Sequence, residues 1–246
     1  MMNQQTVDKL KELKLQGLLG AWIDQQSKPD FAGLGFDERL GLLIDAEWLA
    51  RMNARLQRNL REAHLRLGSA CLEDLDYAEE REIDKALIRQ LATCGWVHQH
   101  QNISISGATG AGKTFLGCAF GQHALRRRYK VIYHRTSRLF DELALARADG
   151  TYAKVLARLA RFDVLLLDDW CATPLTAAER KDMSEIMEDR YGERSTIVIS
   201  QRPADLWHAQ IGDPTIADAI CDRMLSNSHR IVLKGPSRRK EVDSRT

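Results

Sequence analysis

The apolar residues of this chain change their spacing after the first 68 positions. Up to that point they recur at helical intervals. Leu10, Leu13, Leu18 and Leu19 do so within Thr6–Trp22, and Leu49, Met52, Leu56, Leu60, Ala63 and Leu67 share one face of a stretch from about Asp37 to Leu67. Lys28-Pro29-Asp30 and Gly33-Leu34-Gly35 break the pattern between them. The spacing predicts a small all-α module over residues 1–68. Arg51, Arg55, Arg58 and Arg66 lie opposite the apolar face, where they either follow a phosphate backbone or are simply solvated. Residues 69–88 form an acidic connection carrying Glu73, Asp74, Asp76, Glu79, Glu80, Glu82 and Asp84. From Asn102 onward short strand candidates appear: Asn102–Ser106, Lys130–Arg135, Asp163–Leu167, Thr196–Ser200 and Arg230–Leu233. Helical patterns separate them. Such alternation predicts an α/β domain over residues 69–246, a parallel five-stranded sheet covered on both faces.

The first of these strands runs into Gly107-Ala108-Thr109-Gly110-Ala111-Gly112-Lys113-Thr114, which satisfies G-x-x-x-x-G-K-[ST] at every defined position. A helix is predicted over Phe115–Leu125. Strand, glycine-rich turn and helix form the context in which backbone N–H groups and a helix start enclose a phosphate. Lys113 is expected on the β- and γ-phosphates of ATP and Thr114 on Mg²⁺.

Val164-Leu165-Leu166-Leu167-Asp168-Asp169 supplies the matching acidic tip. In an open α/β sheet ligands bind at the carboxyl ends of the strands. Asp168 is expected to hold Mg²⁺ opposite Thr114, and Asp169 to polarise the attacking water. Ser200 and Gln201 end the next apolar strand, where they either position the water or merely cap the strand. Arg223, on a predicted helix, is open to two readings: an arginine reaching a neighbouring subunit's nucleotide, or a surface ion pair.

Composition, at 44% hydrophobic and 28% charged, is that of an ordinary globular chain of 246 residues. No apolar run has the length of a membrane span and the start is polar, so neither a membrane partner nor a signal peptide is expected. Five scattered cysteines without a CxxC pair point away from zinc and disulfides and toward a cytoplasmic location. Charge is uneven. Arg126–Arg161 holds ten basic and three acidic residues, Asp163–Glu193 three and nine, and Ser226–Thr246 six and two. Basic blocks of this kind either meet a polyanion or are solvated helix faces.

Taken together, these runs resemble the AAA+ ATPases, and in particular the IstB-type transposition helper ATPases, which are related to the DnaC helicase loaders and DnaA initiators. The matching stretches are Phe36-Asp37-Glu38-Arg39-Leu40, Cys71-Leu72-Glu73-Asp74-Leu75-Asp76-Tyr77, Leu167-Asp168-Asp169-Trp170, Glu188-Asp189-Arg190-Tyr191, Ser200-Gln201, Ala217-Asp218-Ala219-Ile220 and Asp222-Arg223. The resemblance implies an ATP-dependent homo-oligomer. It would bind double-stranded DNA with little sequence preference and stimulate the transposase encoded by the same element, associated with the nucleoid when on DNA. It places Ser200 and Gln201 at the sensor 1 position, Arg223 at the arginine finger, and Arg239 at a C-terminal nucleotide-contacting position. It also implies an extra helix between the second strand and the acidic strand, used on DNA, which here carries Arg135, Arg138, Arg147, Lys154, Arg158 and Arg161. Departures occur at Cys171, where a glycine is usual, at Pro236, which leaves Arg238 to compete with Arg239, and at Ser226. A DnaC-type helicase loader is the alternative. A small-molecule kinase would need an acceptor pocket and lid, which the sequence does not suggest.

Overall fold

The computed structural model describes residues 4–78 and 82–235. By contacts between Cα atoms the chain divides into two units, before and after the Arg58–Asn59 bond. The change of composition lies ten residues later, at residue 68; the division itself falls inside a helix.

The first unit consists of α1 (Gln4–Glu12), α2 (Gln16–Ser27) and most of α3 (Phe36–Glu62). Thr6–Trp22 is thus two helices rather than one. The break is at Lys14, whose φ of +57° reverses the chain. The Leu15 N–H then reaches the Leu10 carbonyl at 2.9 Å, a left-handed helix ending made without glycine. Within this unit the Glu47 carboxylate accepts the Leu18 N–H at 3.1 Å and the Arg51 Nε–H at 2.6 Å, and Gln25 donates to the Arg39 carbonyl at 2.9 Å.

Helix α3 ends at Glu62, five residues before the predicted Leu67, because His64 takes φ +49°. Arg66 therefore leaves the arginine face of that helix, and Leu67 leaves its apolar face.

The second unit continues with α4 (Lys85–Leu91), α5 (Gly95–His98), β1 (Asn102–Gly107), α6 (Lys113–Arg126), β2 (Val131–Arg135), α7 (Thr136–Ala148), α8 (Tyr152–Ala160), β3 (Val164–Asp168), α9 (Ala177–Arg190), β4 (Ser195–Ser200), α10 (Trp207–Ile211), α11 (Pro214–Leu225) and β5 (Ser228–Leu233). All five predicted strands form, in one parallel sheet ordered β2-β3-β4-β1-β5. Two helices, α7 and α8, fill the connection from β2 to β3 where an extra helix was expected.

Every residue of β3 is buried, which explains its unbroken apolar run. Helices α7, α9 and α11 cover one side of the sheet with Leu139, Leu143, Met183, Ile186, Ile220 and Met224. Trp170 and Trp207 meet edge to face there, 6.2 Å apart. Register brings Ser106 beside Ser200, and Arg135 beside Asp168. The carboxyl ends of β1, β3 and β4 thereby open at one edge.

Arg190 is the one fully buried guanidinium among the described residues. It donates to the carbonyls of Leu159, Phe162 and Ser195 at 2.8, 3.0 and 2.5 Å and to the Thr196 hydroxyl at 3.3 Å, tying α8 and α9 to the start of β4. Burial pushes its pKa down to about 9, still above neutrality, so it remains charged. Arg190→Ala is expected to lower stability by about 3–5 kcal/mol, since it strands these acceptors without water. Urea unfolding measures this, and a loss under about 1 kcal/mol would contradict it.

Candidate nucleotide site

Residue 107 must be glycine for two reasons. Its φ is +148°, and a Cβ there would lie 2.3 Å from the Leu233 carbonyl oxygen of the neighbouring strand. The loop then turns on the Ala111 N–H to Ala108 carbonyl bond of 3.2 Å, and Gly112, at φ +90°, starts α6. The first intrahelical bond is Leu116 N–H to Gly112 O, at 3.0 Å. The Thr114 and Phe115 N–H groups precede it and point out of the helix start, where an anion is favoured.

Lys113 is buried and donates from Nζ to the Ala108 carbonyl at 2.8 Å, which keeps its ammonium over the loop. The Thr109 hydroxyl donates to Gln201 Oε1 at 2.9 Å and ties the loop to the tip of β4.

Asp168 is 1% exposed, and its carboxylate is held from three directions. The Thr114 hydroxyl lies 3.0 and 3.2 Å from its two oxygens, the Tyr133 hydroxyl donates to Oδ2 at 2.8 Å, and the Asp169 N–H donates to Oδ1 at 3.0 Å. The Thr136 hydroxyl fixes the Asp168 carbonyl at 2.9 Å. Burial, and then the Asp168 charge, push the Tyr133 phenol above its usual range, so it remains a donor. Asp169 sits at φ +58° with its carboxylate on Arg135 Nε at 2.8 Å. Cys171 follows at φ +51°, a left-handed position that explains why glycine is usual there in the resembled family.

Thr109, Gly110, Gly112, Lys113, Thr114, Arg135, Asp168 and Asp169 line a cavity of about 670 Å³ that also includes Arg66, Leu67, Phe115, Ser200 and Gln201. That volume suits a nucleotide. The donor set is also apt: an ammonium and a helix start for phosphate, and a hydroxyl and a carboxylate for a hard oxygen-seeking cation such as Mg²⁺.

The structure thus brings together Gly107, Gly110, Gly112, Lys113, Thr114, Asp168, Asp169 and Gln201, with Ala108, Thr109 and Ala111 in the same loop. Ser200 reaches the cavity wall, but its hydroxyl is engaged elsewhere. It donates to the Trp170 carbonyl at 2.8 Å and accepts the Arg202 N–H at 3.1 Å, bonds of the kind that cap a strand end. Gln201 is left as the polar side chain facing the loop.

Arg223 is remote from its own loop. Its carbonyl accepts the Asn102 side-chain amide at 3.0 Å, at the first residue of β1, whereas the loop follows the last. Its guanidinium pairs with Glu188 and donates to the Ala219 carbonyl at 3.1 Å. Arg238 and Arg239 lie outside the described residues.

The basic residues expected on DNA scatter. Arg135 belongs to the nucleotide cavity, because the register of β2 against β3 sets it beside the acidic tip. Arg138 lines an adjoining recess of about 370 Å³ with His64, Arg66, Tyr133 and His134. Burial pushes His134 down to about 4, so it adds no charge to that recess at neutral pH. Arg147 pairs with Asp182 and stacks 3.8 Å over the Tyr152 ring, and Arg158 pairs with Glu142 at 2.7 Å. Lys154 and Arg161 are exposed on or beside α8, as are Arg51, Arg55 and Arg58 on α3. Sequence reasoning missed Arg66 at the cavity and Tyr133 and Thr136 behind it, where both bond to Asp168. Strand alternation on β2 could have pointed to Tyr133, but only once β2 was known to pair with β3.

A parallel sheet in this order, with a phosphate loop after β1 and an acidic tip on β3, is the AAA+ form of the phosphate-loop ATPase fold. Solved structures agree. The DnaC helicase loader superposes with a TM-score of 0.56 at 20% identity over 67% of this chain and 97% of that one. DnaI gives 0.58 at 20% over 72% and 94%, and AMPPCP-bound DnaA from Aquifex aeolicus 0.57 at 21% over 72% and 54%. The chain belongs to the family of IstB-like ATP binding proteins, which it matches over residues 8–246. Its relatives include insertion-sequence ATP-binding proteins from Sinorhizobium fredii, 45% identical over 98% of both chains, and from Pseudomonas fluorescens, 44% identical over 83% of this chain and 88% of the relative. A third, from Mycobacterium tuberculosis, is 30% identical over 94% and 92%. Among the described residues no helix is long and apolar enough to cross a membrane.

Proposed function

We propose that this protein hydrolyses ATP as a Mg²⁺-dependent oligomer on duplex DNA, and that the assembly stimulates the transposase of its own insertion sequence. Lys113 and the start of α6 would bind the phosphates. Thr114 and Asp168 would hold the metal, whose chemistry is to neutralise charge on the phosphoryl group being transferred. Asp169 would accept the proton of the attacking water, which Gln201 would help orient.

One observation carries the link between nucleotide and assembly: Arg223 lies at the opposite end of β1 from its own loop. Six strand residues span about 17 Å, too far for a side chain to reach back. As a finger, Arg223 would serve a neighbour's nucleotide, and ATP would then stabilise the oligomer by mass action. Several subunits in a row would present Lys154, Arg161 and Arg138 repeatedly to the duplex, a sequence-independent attraction.

Fluorescence anisotropy with labelled duplex and single strands of equal length tests this. Cooperative duplex binding is expected only with a slowly hydrolysed ATP analogue, with affinity falling steeply as salt rises. Preference for single strands would favour a helicase loader instead. Duplex binding that is equal with and without nucleotide would refute the linkage.

A further inference from the structure

The nucleotide cavity contains a cation that the phosphate-loop motif does not supply. Arg66 lies four residues past the end of α3, and its Nη1 is 3.8 Å from Asp168 Oδ2. The short segment that carries it is tied down on both sides. Ala63 is fully buried and its carbonyl accepts the Tyr133 N–H of β2 at 2.9 Å. His64 turns the chain at φ +49°. The Leu65 side chain lies against α6, so near that a Cβ on Gly121 would come within 3.2 Å of it. The Gly68 carbonyl accepts Gln122 Nε2, also on α6, at 3.4 Å. The backbone around Arg66 is therefore placed by β2 and α6, the two elements that carry Tyr133 and Thr114.

The other two cations of the cavity are engaged at short range, Lys113 with Ala108 O and Arg135 with Asp169, each at 2.8 Å. At 3.8 Å the contact of Arg66 with Asp168 is too long for a hydrogen bond, and the side chain is 48% exposed. Its guanidinium keeps a planar set of donors for an incoming anion.

We propose that Arg66 is a nucleotide-binding residue that reads the terminal phosphate and so separates a nucleoside triphosphate from a diphosphate. The inference rests on the nucleotide reading given above. Thr114 and Asp168 would hold a divalent ion, which would supply positive charge against the Asp168 carboxylate. Arg66 would then be drawn less to Asp168 and would find its best partner in a phosphate oxygen. A diphosphate offers no oxygen there.

Calorimetric titration of Mg²⁺ with a non-hydrolysed ATP analogue, and separately with ADP, tests the proposal on the wild type, Arg66→Ala, Arg66→Lys and Lys113→Ala. Arg66→Ala is expected to weaken the triphosphate about tenfold and ADP by less than about twofold. Arg66→Lys should fall between, because it keeps the charge without the fork. Without nucleotide, Arg66→Ala should melt with the wild type, since a long and half-exposed ion pair contributes little. Equal losses for both nucleotides, no loss, or a lowered melting temperature with both weakened would overturn it. Lys113→Ala distinguishes the two levels. If it binds both nucleotides like the wild type, the nucleotide reading itself fails. If it loses them while Arg66→Ala keeps full discrimination, only the role of Arg66 fails.

Discussion

Lys113→Ala is expected to weaken ATP binding by at least about a hundredfold and to abolish nucleotide-dependent association with DNA. The side chain is 8% exposed, and its ammonium is held over the loop by a 2.8 Å bond to Ala108. It is thus preorganised, and little conformational entropy is lost when a phosphate arrives. Charge-assisted hydrogen bonds contribute about 1.5–3 kcal/mol each, so two of them account for a loss of that order. The fold should survive, since the loop turn and the start of α6 are made by backbone bonds, Ala111 N–H to Ala108 and Leu116 N–H to Gly112, that the variant keeps. Titration calorimetry for ATP, beside circular dichroism for the fold, separates the two effects. An unfolded variant would make Lys113 structural. A folded variant that still bound ATP would leave the loop without its proposed role.

How much of this was visible in the chain depends on where the information resides. Strand β3 announced itself because a parallel strand covered on both faces tends to be apolar throughout, as Val164–Leu167 is; β1 and β4 are buried too but carry Asn102, Ser104, Ser195 and Thr196, and were marked by their isoleucines and valine. The loop was equally plain, because Gly107 and Gly112 have backbone angles that other residues reach only with strain. Two helix ends escaped for the converse reason. Lys14 and His64 take left-handed conformations without glycine, so no residue type marks the stop.

The partners of the acidic tip escaped for a different reason. Arg66, Tyr133 and Arg135 reach Asp168 and Asp169 only through the order of strands, a tertiary fact that spacing along the chain does not carry. Charge counting met the same limit. The basic surplus of Arg126–Arg161 is real, yet Asp182, which answers Arg147, belongs to α9 outside that window, and Glu142 inside it already pairs with Arg158. What remains for a polyanion is smaller than the count suggests, unless phosphates displace those carboxylates.

Arg223→Ala is expected to leave ATP affinity within about twofold of the wild type and to reduce hydrolysis by the assembled protein about a thousandfold, the lower range for arginine fingers. Affinity should be preserved because Arg223 is at the far end of β1 from its own loop. In the single chain its guanidinium, 25% exposed, pairs with Glu188, which is 64% exposed, so the carboxylate can turn out into water and release the arginine. It can be exchanged for a neighbour's phosphate at small cost. A mixing experiment distinguishes a finger from a structural arginine. Arg223→Ala retains Asp169 but lacks the finger; Asp169→Asn retains the finger but lacks the base. Each variant alone should be inactive. In a head-to-tail assembly made from equal amounts, about a quarter of the boundaries would join an intact Asp169 to an intact Arg223, and activity should return in that proportion. Recovery of this kind is impossible if both groups act within one chain. Failure to recover, with both variants folded and still assembling, would return Arg223 to the role of a surface ion pair with Glu188 and remove the main argument that the nucleotide lies between subunits.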